Sequence, residues 1–158
     1  MALTVQSVLD RVDDLEPNYY NDEYKLSWLY EVELMLWQEI FTTHAGSENM
    51  TEPEEILPIT EESGSAAESG SGETTGTEAE AEEEEEEEAA TGYTQELQVG
   101  PPYGRDIYEN WLKAKISQAN GETGRYNEYM TLFYNAWKQF ADCWNRAHRP
   151  LGRTTLRM

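Results

Sequence analysis

Apolar residues recur every three or four positions in four stretches of this chain, a spacing that predicts four amphipathic helices. The first covers Thr4–Leu15, with Thr4 as the candidate N-cap, and Pro17 ends the pattern. The second runs from about Asn21 or Asp22 to about Thr42. Its apolar positions form one stripe of Leu26, Leu29, Val32, Leu36 and Ile40 and another of Tyr30, Leu34, Trp37 and Phe41. A helix that is apolar on two sides either lies at the centre of its bundle or shares a face with a partner.

The third and fourth helices are predicted over 103–119 and 123–147. Pro101 and Pro102 precede the third helix, and Gly121 follows it at a position where a left-handed C-cap is common. Because the connection is only a few residues long, the two helices should pack as an antiparallel hairpin.

The fourth helix has more aromatic residues than one buried face needs. Seven of the twenty residues in Tyr126–Asn145 are aromatic, against 11% of the whole chain. Aromatic residues are over-represented in the buried centres of protein–protein interfaces. We therefore predict an interface from aromatic residues of helices 2 and 4 and from the basic C-terminal segment: Trp28, Tyr30, Trp37, Tyr134, Trp144, Arg149, Arg153 and Arg157.

The helical pattern is interrupted by an acidic, low-complexity segment over 46–96. Of the 32 acidic residues of the chain, 18 are glutamates between Ser47 and Glu96, and the remaining 14 face 11 basic residues. The segment has few large apolar residues, mainly Met50, Ile56, Leu57 and Ile59. Their burial cannot offset the entropy lost when the backbone is ordered, so we predict that the segment is disordered. The fold class is then all-α: a small four-helix bundle with a long disordered acidic loop between helices 2 and 3. Residues 1–45 supply helices 1 and 2, residues 97–150 supply the C-terminal hairpin of the same bundle, and residues 151–158 form a basic flexible tail.

Catalytic, metal and membrane functions find little support in the sequence. Cys143 is the only cysteine and has no CxxC partner, which excludes an internal disulfide and favours a reducing compartment. His44 and His148 are both at predicted helix ends, where the helix dipole favours a cationic histidine. No Glu-x-x-His pair, phosphate-binding glycine motif, signal peptide or membrane-length apolar run occurs. We predict a non-enzymatic protein without a cofactor or metal, made in the cytoplasm and not bound to membranes.

Two regions of the chain resemble the head–tail connector (adaptor) proteins of tailed phages and prophages of Gram-positive bacteria. The segment "PPYGRDIYENWLKAKISQANGETGRYNEYMTLFYNAWKQFADCWNRAHRP" is similar to the family pattern "YxxWLxAxI" followed by "ANGExGxYNxxMxxFNxAWxxYxxxxNRxHxP". The segment "VDDLEPNYYNDEYKLSWLYEVELMLWQEIFTTHAG" is similar to the family opening "VDxLxPNxYxxxxKxxWLxxLDxxI…THxG". Together they cover some 90 residues in the family order. Glu33 stands where the pattern has aspartate, and the glutamate-rich insert is unusually long.

The resemblance implies a structural virion protein in the neck, at the head–tail interface. It would form a ring, commonly of twelve copies, beneath the portal protein and above a downstream neck or tail protein. DNA would pass through the ring without sequence-specific binding, and assembly would take place in the host cytoplasm.

One alternative follows from the charge rather than from the resemblance. The acidic loop would mimic DNA, and the chain would be a non-enzymatic interaction module that captures a basic partner. Binding would then depend strongly on salt and on residues 47–96.

Overall fold

The computed structural model describes residues 2–48, 50–58 and 93–151. These residues are helical, form no strand, and contain only two isolated bridges between extended segments. The elements are α1 (Val5–Leu15), α2 (Asp22–Leu36) with a following π-helical turn (Trp37–Phe41), α3 (Tyr103–Ala119) and α4 (Thr123–Ala147). The prediction of an all-α, four-helix fold is confirmed. The predicted disorder of residues 59–92 falls outside the described residues.

Helix α1 forms because its first turn is capped and its apolar residues share one face. The backbone N–H of Ser7 donates to the side-chain oxygen of Thr4 at 3.3 Å, which satisfies one of the unpaired donors at the helix start. The apolar face is buried through Val5, Val8, Leu9 and Val12, whereas Leu15 at the end of the helix is exposed. An 11-residue helix needs such tertiary support to be stable in water.

Helix α2 buries one of its two apolar stripes along its whole length, through Leu26, Leu29, Val32 and Leu36. The π-helical turn then places Ile40 and Phe41 in the core. The second stripe is mixed, because Tyr30 and Trp37 are half-buried whereas Phe41 is buried. The two apolar stripes predicted that this helix lies at the centre of the bundle. That prediction applies mainly to the C-terminal half of the helix.

Helix α3 contacts each of the other three helices. Its buried residues lie on more than one side of the helix, and they include Ile107, Tyr108, Leu112 and Ile116. The connection to α4 turns at Gly121, whose φ of +76° lies in the left-handed region that favours glycine. The close packing of α3 on α4 confirms the predicted hairpin.

Contacts between the helix ends give the bundle an alternating up-and-down arrangement. Leu3, just before α1, lies beside Gly104 in the first turn of α3, and Arg11 further along α1 pairs with Glu109 further along α3 at 2.6 Å, so these two helices run in the same direction. The ring of Phe41, at the end of the π-helical turn, packs on Phe140 of α4 with ring centroids 6.0 Å apart. The loop before α2 meets the end of α3, where the Tyr20 hydroxyl donates to the side-chain oxygen of Asn120 at 2.8 Å.

Both described ends of the predicted acidic insert, residues 50–58 and 93–96, pack against the helices. By sequence they instead fall within the segment predicted to be disordered. The ring of Tyr24 in α2 and residues 55–58 line one small cavity, and Ile56 is buried. On the other side, the N–H of Val5 donates to the carbonyl of Gln95 at 3.0 Å, and the N–H of Leu97 donates to the carbonyl of Leu3 at 2.8 Å. Residues 50–58 and 93–96 thus belong with the helical part of the chain, and not with the remainder of the predicted insert.

Candidate interaction surface

The three tryptophans predicted to form an interface already contact other residues of the same chain. Trp28, Trp37 and Trp144 are partly buried and pack against the core. The carbonyl of Trp28 accepts a hydrogen bond from the indole N–H of Trp111 at 2.7 Å. Trp144 lies 4.7 Å from the ring of Phe41, between ring centroids. These three tryptophans therefore pack at the edge of the core of a single chain.

Two apolar side chains on α4 remain in solvent. Tyr134, a predicted interface residue, is 61% exposed, and Leu132 is 51% exposed. Tyr30, predicted with them, is half-buried on α2. Leu132 was missed because only aromatic residues were considered, although its position off the α4 stripe of Met130, Phe133 and Trp137 was a usable signal.

A second exposed apolar patch lies at the corner between α1 and α2. Tyr19 is fully exposed, Leu15 is 56% exposed and Tyr24 is 57% exposed. The rings of Tyr24 and Trp28 are 6.4 Å apart, so the patch continues into the half-buried face of α2. The described residues therefore expose groups of apolar side chains at this corner and on α4, besides the single residues Leu57 and Leu151.

The basic residues predicted to join the interface lie beyond α4. Arg149 is exposed, and its carbonyl accepts a hydrogen bond from the N–H of Ala45 at 2.8 Å. The N–H of Leu151 donates to the carbonyl of Thr43 at 3.0 Å, so the chain after α4 is fixed to the end of the π-helical turn. Arg153 and Arg157 lie outside the described residues.

An open apolar groove of about 380 Å³ lies between α2, α3 and α4. Its walls are mainly aromatic and methionine side chains: Met35, Trp111, Tyr126, Met130, Phe133 and Trp137. Two charged residues reach it, Glu39 and Lys115. The ammonium group of Lys115 is already engaged, because it pairs with Glu31 at 2.6 Å and lies 4.8 Å from the centre of the Trp111 ring. Glu39 is exposed.

A buried carboxylate joins α2 and α3 to the end of the insert. The side chain of Glu33 accepts hydrogen bonds from the Tyr108 hydroxyl and, at 3.3 Å, from the N–H of Gln98. The Tyr108 oxygen in turn accepts the N–H of Val99 at 3.2 Å. Burial raises the pKa of Glu33 from 4.5 to about 7, against the opposing effect of these two hydrogen bonds. Burial also raises the pKa of Tyr108 well above its ordinary value, and the neighbouring Glu33 raises it further.

The surroundings of this carboxylate are acidic. The cleft above Glu33 is lined by three further glutamates, Glu52, Glu54 and Glu96. In the part of the chain that the structure describes, no three histidine, cysteine or acidic side chains are arranged to hold a metal ion. Nor does any helix within those residues combine the length and apolar character of a membrane span.

The two histidines contact neighbouring residues, and the cysteine is exposed. The His148 ring stacks on Trp144 with ring centroids 3.8 Å apart, and its Nδ1 lies 3.0 Å from the Trp144 carbonyl. The Nδ1 of His44 is 2.9 Å from the hydroxyl of Thr43. Cys143 is an exposed free thiol on α4.

Residues that carry the family resemblance meet one another across the fold. Lys25 is only 3% exposed, and its ammonium group lies 2.7 Å from both side-chain oxygens of Asp13. Gly46 has a φ of +105°, and a Cβ there would lie 2.2 Å from the His148 ring. The other contacts of this kind join Tyr20 to Asn120, Trp28 to Trp111, and Glu33 to Tyr108. The two regions of the resemblance are therefore parts of a single packed unit.

Comparison of the chain with protein-family models, with curated proteins and with solved structures gives no match.

Proposed function

We propose that this chain is a head-to-tail connector, a structural virion protein that forms a ring under the portal protein. The ring contacts a downstream neck or tail protein on its other side, and DNA passes through it without sequence-specific binding. The protein acts through its surfaces and not through catalysis.

The observation that carries the proposal is the exposure of apolar side chains on two different elements. Leu132 and Tyr134 project from α4, whereas Leu15, Tyr19 and Tyr24 lie at the α1–α2 corner. A ring of identical subunits needs head-to-tail contacts, in which one patch of each copy meets a different patch of the next. Two separate patches suit this kind of contact, which a single self-complementary patch does not provide.

Charge and sequence pattern support the same function. The formal net charge of −21, most of which comes from the 18 glutamates between Ser47 and Glu96, disfavours adhesion of DNA phosphates to such a ring. The pairs formed by the resemblance residues, such as Asp13 with Lys25, support the view that the pattern belongs to one compact fold.

Removing the exposed apolar residues of α4 should prevent assembly without unfolding the subunit. Burying a large apolar side chain contributes about 1.5–3 kcal/mol. The combined substitutions Leu132→Ser and Tyr134→Ser should therefore weaken self-association by about a hundredfold or more. Sedimentation velocity of the full chain, alone and mixed with portal protein, measures this effect, and electron microscopy of the mixture shows whether rings form.

The control is Asn135→Ser, an equally exposed position of α4 that carries no apolar group. It should assemble as the unchanged chain does. A full chain that stays monomeric at every concentration and never binds portal protein would contradict the proposed function.

A further inference from the structure

The groove between α2, α3 and α4 is an apolar surface that the described residues leave uncovered. Its walls include the aromatic side chains of Trp111, Tyr126, Phe133 and Trp137, and its exposed carboxylate Glu39 has no cation paired with it among the described residues. Such a lining suits a peptide that combines apolar side chains with arginine, because a guanidinium group stacks on aromatic rings and pairs with carboxylates.

The last described residue of the chain, Leu151, lies close to one end of the groove. Its N–H donates to the Thr43 carbonyl, and its side chain is 59% exposed. The Thr43 hydroxyl donates to the carbonyl of Glu39 at 3.0 Å, and Glu39 lines the groove. Leu151 is therefore held about one turn beyond a residue of the groove wall.

The distances also suit the segment 152–158. Glu39 and Met35 precede Thr43 by four and eight residues along α2 and the π-helical turn. Seven extended residues span up to about 24 Å, a length sufficient to extend from Leu151 past both of these residues. It contains two arginines and two large apolar residues: Arg153, Leu156, Arg157 and Met158.

We propose that the groove binds residues 152–158 of the same chain. The apolar side chains of the segment lie against the methionine and aromatic walls, and an arginine pairs with Glu39. This intramolecular contact covers the groove in the free subunit. Tyr134, which belongs to the exposed α4 patch of the proposed function, also lines the groove, so the contact is tested on methionines of the groove and not on ring assembly.

The methionines of the chain allow a direct test in the full-length protein. The sequence has five: Met35 and Met130 line the groove, Met158 belongs to the segment, Met50 lines the cleft above Glu33, and Met1 lies outside the described residues. With the methionine methyl groups labelled for NMR, the combined substitutions Arg153→Ser, Leu156→Ser and Arg157→Ser should move three of these signals. We expect shifts at Met35, Met130 and Met158, and none at Met50.

Adding the heptapeptide GRTTLRM to the substituted chain should return Met35 and Met130 towards their original positions in a saturable manner. In that assay Glu39→Lys should weaken the binding of the peptide by up to about fivefold, the effect of an exposed ion pair. Glu23→Lys, an exposed site in the first turn of α2 far from the groove, should leave the affinity unchanged.

The proposal is overturned if the tail substitutions leave Met35 and Met130 unmoved, or if the peptide has no effect on either signal. It is also overturned if the shifts appear only as protein concentration rises, because a second copy would then supply the segment. Equal binding of the peptide by the Glu39→Lys and Glu23→Lys chains would contradict the pairing with Glu39.

Discussion

The free energy of unfolding is expected to fall by about 3 kcal/mol, through Glu33 alone, as the pH rises from about 4.5 to about 8. The pKa of this residue is about 7 in the folded chain against an ordinary value of 4.5. Each pKa unit of difference corresponds to about 1.4 kcal/mol. Burial is the cause, because the side chain is 5% exposed and its charged form loses most of its hydration.

The sign of this effect is opposite to that of a carboxylate in a favourable salt bridge. Between pH 4.5 and 7 the folded chain holds a proton on Glu33 that the unfolded chain has released. The contribution of this group to stability is therefore complete below about pH 4.5 and is lost as the pH rises through about 7. Urea unfolding followed by circular dichroism at several pH values measures it.

Glu33→Gln is the variant that isolates this effect, because glutamine resembles the protonated side chain and does not titrate. It should match the wild type near pH 4.5 and exceed it in stability by up to about 3 kcal/mol at pH 8. Glu54→Gln removes an exposed carboxylate from the rim of the same cleft and should keep the wild-type profile. If Glu33→Gln also kept that profile, the assignment of a raised pKa to Glu33 would be wrong.

The ends of the helices were predictable because local signals mark them. Helices α3 and α4 begin and end where the sequence predicted. The prolines before α3 and Gly121 between the helices act within a few residues, and apolar spacing fixes the lengths. Thr4 likewise caps α1 as predicted. The second helix differs only in its last turn, where the structure has a π-helical turn up to Phe41.

The buried polar pair was not predictable, because its two members are far apart in sequence. Glu33 lies between Val32 and Leu36 of a buried stripe, which was a usable signal for its burial. Its partner Tyr108 is 75 residues away and looked like one more apolar residue of α3. No local pattern around Glu33 indicates its hydrogen bonds to Tyr108 and to residue 98.

The groove and the packed ends of the insert depend on tertiary arrangement in the same way. Ile56 is an isolated apolar residue in an acidic stretch, and no local pattern indicates that it is buried. Periodicity identifies which faces of a helix are apolar but not which of them a neighbouring helix covers. Trp144 was therefore assigned to an interface, although much of its surface packs on Phe41 and His148.

Replacing Gly104 by alanine should destabilise the fold by about 3 kcal/mol, at the upper end of the usual cost of overpacking. A Cβ at this position, in the first turn of α3, would lie 1.9 Å from the carbonyl oxygen of Val99 and 3.3 Å from the side chain of Leu3. The obstructing atom is backbone, so it cannot rotate away as a side chain does. Relief requires residue 99 to move, which breaks the bond from its N–H to the Tyr108 oxygen.

Gly124 provides the matched control, because it occupies the first turn of α4 and a Cβ there meets nothing within 4 Å. Gly124→Ala should leave stability unchanged or raise it by up to about 1 kcal/mol, since alanine favours the helix. Urea unfolding of both variants under the same conditions separates the steric effect from helix propensity. A Gly104→Ala chain within about 0.5 kcal/mol of the wild type would mean that residues 97–99 do not pack against the start of α3.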